Sequence, residues 1–315
     1  MVQLIKKSEL AVIGGIALFL LLVQAISLLL VPPLNGYVEA GYELRAFGNP
    51  ESVWNPIYYV ALLIVFTGVL LLIIKYNVRW IIQLIMGVAI FSTLVYVFVG
   101  LAKLAVPSID LPVAAIPSIA VSILLTALLV LYPEWLIIDT VGVLVAAGAS
   151  TLFGMSLSII PTLILLVLLA VYDYVAVYRT KHMIRLAEGV MDLKMPIMFV
   201  MPRRWGYSFV RAKGLPKEGE EREAYFMGLG DAVMPTMLAV SANAFLNVPR
   251  LLGFVNVPAL GSLMGTLASY LVLMYIVVEL KKPQAGLPFL CTGAIVGFLL
   301  GCLAAGAWSW AVIPF

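Results

Sequence analysis

The sequence has little charge, few cysteines and a single histidine. Only 11% of its 315 residues are charged, whereas 63% are hydrophobic and the mean hydropathy is +1.12, which excludes an ordinary soluble domain. The two cysteines, Cys291 and Cys302, share one apolar run where they cannot readily pair, and no metal-ligand spacing is present. The only histidine, His182, follows an apolar run, and the HExxH motif is absent. An intramembrane Ser-His dyad and a zinc peptidase are therefore excluded.

Long apolar runs dominate what the sequence does contain. A helix needs about 20 apolar residues to cross a bilayer, because its backbone polar groups find no water there. Nine runs meet this requirement and predict an all-α polytopic membrane protein with nine transmembrane helices. The predicted spans are Leu10–Val31, Ile57–Ile74, Trp80–Leu101, Leu111–Leu131, Trp135–Phe153, Ser156–Tyr178, Tyr225–Leu246, Val257–Val278 and Leu287–Val312.

The basic residues predict the orientation of these spans. If the amino terminus is cytoplasmic, all but three of the 19 Lys and Arg residues fall in cytoplasmic segments. The exceptions are Arg45, Lys103 and Arg250. Because cytoplasmic loops carry an excess of basic residues, the pattern predicts a cell-membrane protein with its amino terminus inside and its carboxyl terminus outside.

One polar segment divides the chain. Residues 1–178 hold spans one to six, residues 179–224 form a predicted cytoplasmic loop, and residues 225–315 hold spans seven to nine. Within the loop, "RTKHMIRLAEGVMDLKMPIMFVMP" predicts an amphipathic interfacial helix. The stretch "RAKGLPKEGEERE" has the polar composition of a mobile linker.

Three carboxylates lie inside predicted spans: Asp139, Asp173 and Asp231. Such residues are rare and costly, and they usually face a bundle interior or a wet cavity, so each is a functional candidate. Asp173 precedes Arg179 by six residues and Asp231 follows Tyr225 by six residues. At 1.5 Å per residue, both lie about 9 Å inside the cytoplasmic end of their span. The two aspartates therefore share one level.

A pair of carboxylates at one level has a recognised chemistry. Two close carboxylates cannot both ionise cheaply, so they share a proton. One can activate a water as general base while the other polarises a carbonyl and protonates the leaving amine, as peptide hydrolysis requires. The alternative is a proton-coupled transporter or leak channel with the same aspartates as relay groups. Transporters often place such sites near the midplane between repeats, and neither feature is found here.

The residues around the two aspartates resemble a known family. Tyr172-Asp173 on one span and Gly228-Leu229-Gly230-Asp231 on the next are similar to the YD and GxGD motifs of intramembrane aspartyl proteases, the presenilin and signal peptide peptidase family. The resemblance covers span six to the carboxyl end. It implies that Asp173 and Asp231 are catalytic and that Tyr172 and Gly228 to Gly230 support the site.

The resemblance also carries implications for partners. It implies that the substrates are membrane helices of other proteins and that the chain needs no metal, organic cofactor or nucleic acid. The orientation is similar to that of presenilin rather than of the peptidases. The chain resembles the compact archaeal members, which implies that no obligatory subunit is required.

The family's Pro-Ala-Leu motif has two candidate positions. Pro258-Ala259-Leu260 matches by letter but opens span eight at the predicted outer face. Pro288-Phe289-Leu290 departs at the middle residue but follows the cytoplasmic Lys282 and opens span nine at the level of the aspartates. We therefore predict that Pro288, Phe289 and Leu290 support the active site and that Pro258 is a helix-start proline.

Other features leave alternatives open. Asp139 either bonds a neighbouring group near the interface or influences the aspartate pair. Tyr172 and Tyr178 either form hydrogen bonds in the active site or anchor their span at the interface. Glycines recur every four residues along span nine, at 293, 297 and 301, which predicts close helix packing or a hinge for substrate entry.

Overall fold

The computed structural model describes residues 7–76, 79–180, 198–203, 206–209, 224–251, 253–280 and 284–311. Within these ranges the chain forms nine α-helices and two small sheets. The helices are α1 (Lys7–Glu39), α2 (Asn55–Lys75), α3 (Arg79–Ala105), α4 (Leu111–Leu131), α5 (Trp135–Ser156), α6 (Ile159–Val175), α7 (Leu229–Phe245), α8 (Val257–Leu280) and α9 (Gly286–Ala305). A π-helical turn at Ala176–Thr180 continues α6, and a 3₁₀ turn at Ser309–Ala311 follows α9.

Helix α7 lies at the centre of the bundle. It packs against α1, α5, α6, α8 and α9, and each residue from Ala232 to Asn243 is buried. A helix that is apolar and buried on all sides belongs to a core. Eight of the nine described helices are long and apolar enough to cross a membrane, whereas α7 has only 17 residues. The outer α2 exposes most of its apolar surface, as expected for contact with lipid.

Several predicted boundaries are wrong. The first helix runs to Glu39 rather than ending at Val31. Span seven does not begin as a helix at Tyr225, because residues up to Gly228 form a strand and the helix starts at Leu229. Span nine ends at Ala305 rather than Val312, because Gly306 takes the left-handed conformation, φ 62°, that stops a helix. The fifth span continues to Ser156, so the sixth begins only at Ile159.

Two strands meet beside the start of α7. Strand β1 (Met198–Pro202) pairs antiparallel with β2 (Ala224–Gly228), in a register that places Val200 opposite Phe226. The predicted interfacial helix is wrong at its carboxyl end. The residues "MFVMP" form strand β1 there, because they pair with β2. The rest of that prediction, residues 181–197, lies outside the described residues, as does the linker at 211–223.

A second hairpin joins α7 to α8 at the other end of the bundle. Its strands are β3 (Arg250–Leu251) and β4 (Val255–Asn256). Buried Asn243 donates to the carbonyl of Phe254 at 2.8 Å and accepts from the N–H of Asn256 at 3.1 Å. Asn256 in turn accepts from the N–H of Ala259 at 2.9 Å and so caps α8.

The glycine stripe on α9 makes the predicted close contact. A Cβ added at Gly265 would overlap the carbonyl oxygen of Gly293, and one added at Gly297 would overlap that of Gly261. The third stripe residue, Gly301, lies against Pro258 at the start of α8. Helices in a membrane associate through such backbone packing, because lipid provides no hydrophobic driving force between them. The glycines therefore fix α9 against α8.

We expect Gly265→Ala to destabilise the protein. The new methyl group would meet backbone of α9 rather than a movable side chain, and overpacking of this kind costs about 1–3 kcal/mol. Thermal unfolding in detergent should show a lower midpoint. Gly87→Ala on α3 is the matched control, because nothing lies within 4 Å of a Cβ there. Equal midpoints for both variants would contradict the close α8–α9 contact.

Candidate active site

The two aspartates of the sequence motifs lie on adjacent helices. Asp173 is in the last turn of α6 and is only 6% exposed. Asp231 is the third residue of α7 and is half-buried. Helices α6, α7 and α9 pack against one another, and the first turn of α9 contacts both aspartates. The topology therefore brings together two carboxylates that are far apart in the sequence.

The first turn of α9 contacts both carboxylates. The backbone N–H of Leu287 donates to Oδ2 of Asp173 at 3.2 Å. At the preceding residue, Gly286, a Cβ would lie only 2.9–3.1 Å from three carboxylate atoms of Asp231. The first N–H groups of a helix have no partner within the helix, and Ala285 at the N-cap supplies no side-chain bond. Asp173 therefore serves as the cap of α9, where the helix dipole also favours a negative charge.

Glycines 228 and 230 leave space around Asp231. Gly228 ends β2 and forms the N-cap of α7, and a Cβ there would lie 3.6 Å from Oδ2 of Asp231. Nothing lies within 4 Å of a Cβ at Gly230, which is exposed. Neither is among the described glycines with positive φ, so neither is required by its backbone conformation. What the glycines provide is open space beside the carboxylate. Leu229 between them points elsewhere, toward Gly142 of α5.

The two proline motifs lie at opposite ends of the bundle. Pro288 and Phe289 are half-buried and Leu290 is fully buried, immediately after the residues that touch the aspartates. Pro258 contacts Gly301, which lies 15 residues, or roughly 22 Å, farther along α9 than Gly286. Only the Pro288 motif is therefore near the two carboxylates.

Tyr178, for which the sequence leaves open a hydrogen bond or an interfacial anchor, forms a link whose partners the sequence does not predict. Its hydroxyl donates to Oε1 of Gln284 at 2.6 Å and accepts from the N–H of Ala285 at 3.3 Å. It thereby ties the turn after α6 to the residues just before α9. Tyr172, the tyrosine chosen from the motif, is half-buried next to Asp173, and its role remains a prediction.

Other groups near the pair complete the site. Gly286 was also missed by sequence reasoning, although a glycine two residues before the proline motif was an available signal. Cys291, one turn farther into α9, is buried. Within the described ranges, no group of three or more His, Cys, Asp or Glu side chains could hold a metal ion.

Comparisons with known proteins show which family the chain belongs to. The family model described as "Signal-peptide peptidase, presenilin aspartyl protease" matches residues 16–307. The chain belongs to this family. Two solved structures of a presenilin family intramembrane aspartate protease are similar to it. The C222 crystal form is 39% identical, covers 93% of this chain and 99% of its own, and has a TM-score of 0.67.

The second crystal form agrees with the first. The P2 form is 38% identical, covers 92% of this chain and 97% of its own, and has a TM-score of 0.65. No curated protein matches the chain. The polytopic all-α fold and the aspartic endopeptidase activity predicted from the sequence are thereby confirmed. The transporter alternative finds no support in these comparisons.

We expect Gly286→Ala to reduce proteolysis while preserving the fold. The added methyl group would displace only the mobile end of the Asp231 side chain, so stability should hold. Misplacing a reacting group by 1 Å can lower a rate about 100-fold. The initial rate of cleavage of a membrane-helix substrate measures the effect. Gly68→Ala, with nothing within 4 Å of its Cβ, is the control, and equal rates for both variants would contradict the contact.

Proposed function

We propose that Asp173 and Asp231 form the catalytic dyad of this intramembrane aspartyl protease and that it cuts substrate helices near the cytoplasmic face. The observation that carries the proposal is the first turn of α9, which touches one aspartate through Leu287 and the other through Gly286. A structural pair that only joined α6 to α7 would not require a third helix to contact both carboxylates.

Two adjacent carboxyl groups that share one proton can act as base and acid in the same hydrolysis. One carboxylate accepts a proton from water as the water oxygen attacks the scissile carbonyl carbon. The other carboxyl group polarises the carbonyl oxygen, and a proton is then delivered to the leaving nitrogen as the C–N bond breaks. Because the two groups share a proton, the dyad titrates as a unit and the steps are not divided between Asp173 and Asp231.

The substrate segment is proposed to bind in an extended form. A helical peptide bond is shielded by its own turns, so the substrate must unwind before the dyad can reach it. Strand β2 ends at Gly228, immediately before the motif that carries Asp231. The N–H of Val200 in β1 points to α5 rather than to β2, so Val200 and the opposite residue Phe226 form a non-hydrogen-bonded pair. In such a pair the backbone N–H and C=O of both residues point away from the partner strand, so those of Phe226 point away from β1.

That outward edge of β2 is the proposed pairing site. In the described part of the chain β2 pairs only with β1. An added substrate strand would satisfy its main-chain groups there and lie beside Gly228 and Gly230. Pro288, Phe289 and Leu290 are proposed to line the other side of the same segment.

Replacing either aspartate with asparagine should abolish cleavage. Asp173→Asn and Asp231→Asn keep the size of each side chain but remove the ionisable group. The measurement is cleavage of a reconstituted membrane-helix substrate by the purified chain without other proteins, which also tests the proposed independence from subunits. Asp110→Asn is the control, because Asp110 is exposed at the start of α4 and its side chain makes no capping bond.

Each of three outcomes would contradict a different part of the proposal. Cleavage by either aspartate variant would show that the dyad is wrong. An intact substrate with the wild-type chain would show that the purified chain alone does not suffice. Aspartate-dependent ion flux without cleavage products would instead support the transporter reading.

We also propose an amino terminus inside the cell, a carboxyl terminus outside and residues 179–224 on the cytoplasmic side. The distribution of basic residues supports this orientation. In intact cells, a membrane-impermeant maleimide should label Glu51→Cys, between α1 and α2, but not Tyr76→Cys, just after α2. Position 51 is exposed and Tyr76 is 73% exposed, whereas the native cysteines are at most 1% exposed. The reverse labelling pattern would invert the proposed topology.

A further inference from the structure

The start of α5 presents two carboxylates to the segment around β1. Asp139, which is 2% exposed, accepts a hydrogen bond at Oδ1 from the backbone N–H of Val200 at 2.7 Å. Glu134 accepts from the hydroxyl of Ser208 at 2.8 Å and from the backbone N–H of Phe209 at 3.1 Å. Three donors from the segment after α6 therefore converge on one turn and a half of α5.

A buried carboxylate at this position is expensive, so its bond is informative. Ionisable groups within a membrane protein are retained mainly where they serve a site or a partner. Hydrogen bonds from backbone N–H groups to a carboxylate are among the stronger protein hydrogen bonds. The bond to Asp139 also satisfies a backbone donor on the outer edge of β1, an edge that would otherwise be open to another strand.

A short chain of contacts leads from Asp139 to Asp231. Val200 pairs with Phe226 of β2, and β2 ends at Gly228, whose Cβ position lies 3.6 Å from Oδ2 of Asp231. One turn after Asp139 on α5, a Cβ at Gly142 would lie 3.3–3.4 Å from the side chains of Leu229 and Phe199. The face of α5 that bonds β1 therefore also contacts the residue that starts α7.

We propose that Asp139 is a positioning residue for the protease, with Glu134 as a second attachment point. The pair holds β1 against α5, and β1 through β2 fixes the backbone that presents Asp231 and receives the substrate. Asp139 touches neither the substrate nor the other two aspartates in this arrangement. The inference rests on the proposed catalytic role of Asp231.

The proposal assigns Asp139 the role of an acceptor, and substitutions separate that role from charge and from size. Asp139→Asn keeps an acceptor oxygen for the N–H of Val200. The amide nitrogen would take the place of Oδ2, which has no hydrogen-bond partner among the described residues, so no existing bond is lost. Asp139→Leu has a similar volume and no acceptor. Thr140→Val is the matched control, because the neighbouring Thr140 is exposed and bonds only to its own helix at Leu136.

The measurements are kcat and KM on a membrane-helix substrate, together with amide hydrogen exchange of the peptides that contain β1 and β2. We expect Asp139→Leu to lose about 10- to 100-fold in kcat/KM, mainly in kcat, because the dyad geometry relaxes. Exchange should quicken in β1 and β2 but not in α9. The kcat/KM of Asp139→Asn should stay within about threefold of the wild-type value. The kcat/KM of Thr140→Val should equal that of the wild type.

Glu134→Gln keeps the test decisive if Asp139→Leu does not fold. Glu134 is half-buried, and glutamine retains only one of its two acceptor oxygens, so a smaller loss of kcat and faster exchange around Phe209 are expected. Wild-type kinetics and exchange in the folded variants would overturn the proposal. An Asp139→Asn variant as impaired as Asp139→Leu would also overturn it, because charge rather than the acceptor would then matter.

The result is separable from that of the proposed dyad. If Asp231→Asn is inactive and Asp139→Leu behaves like wild type, only the positioning role fails. If Asp231→Asn still cleaves, the dyad assignment fails whatever the Asp139 variants show.

Discussion

The start of α9 is the constraint on which the candidate active site depends. A helix begins with N–H groups that need acceptors, and α9 finds one in the carboxylate of Asp173 rather than in its own N-cap residue. In the same turn, a side chain at position 286 would press against the carboxylate of Asp231, and glycine avoids this contact. A shift of α9 along its axis would therefore break the bond to one aspartate and change the space around the other. The relative position of two carboxylates on α6 and α7 is thus set through a third helix.

The position of α9 is itself fixed at a distance from the aspartates. Gly261 and Gly265 of α8 meet Gly293 and Gly297 of α9 backbone to backbone. Such contacts leave little freedom, because no side chain can move aside to absorb a displacement. At the end of the bundle that carries the two aspartates, Tyr178 adds a polar tie between the turn after α6 and the residues before α9. The apolar middle of the bundle therefore helps to set the position of α9 beside the two aspartates.

Sequence reasoning predicted the parts of this arrangement that depend on composition and local pattern. The spans follow from hydropathy, because a bilayer requires long apolar helices. Asp173 and Asp231 were recognisable because a charge within an apolar run is rare and because each has a distinctive neighbour sequence. The distribution of basic residues favours Pro288 over Pro258. In the structure Pro288 lies in the first turn of α9, whereas Pro258 of α8 lies against Gly301 near the other end of α9.

The parts that could not be predicted depend on partners that are remote in sequence. The segment "AYFMG" is apolar whether it continues a helix or forms a strand, and only its pairing with β1 decides between them. The bond between Asp139 and Val200 joins positions 61 residues apart, and that between Leu287 and Asp173 joins positions 114 residues apart. No periodicity encodes such contacts. Polar backbone that is not helical is tolerated at membrane depth only where protein or water satisfies it. Here the N–H of Val200 on the outer edge of β1 is satisfied by Asp139 of α5, and the proposal that substrate pairs with the outer edge of β2 follows from the same requirement.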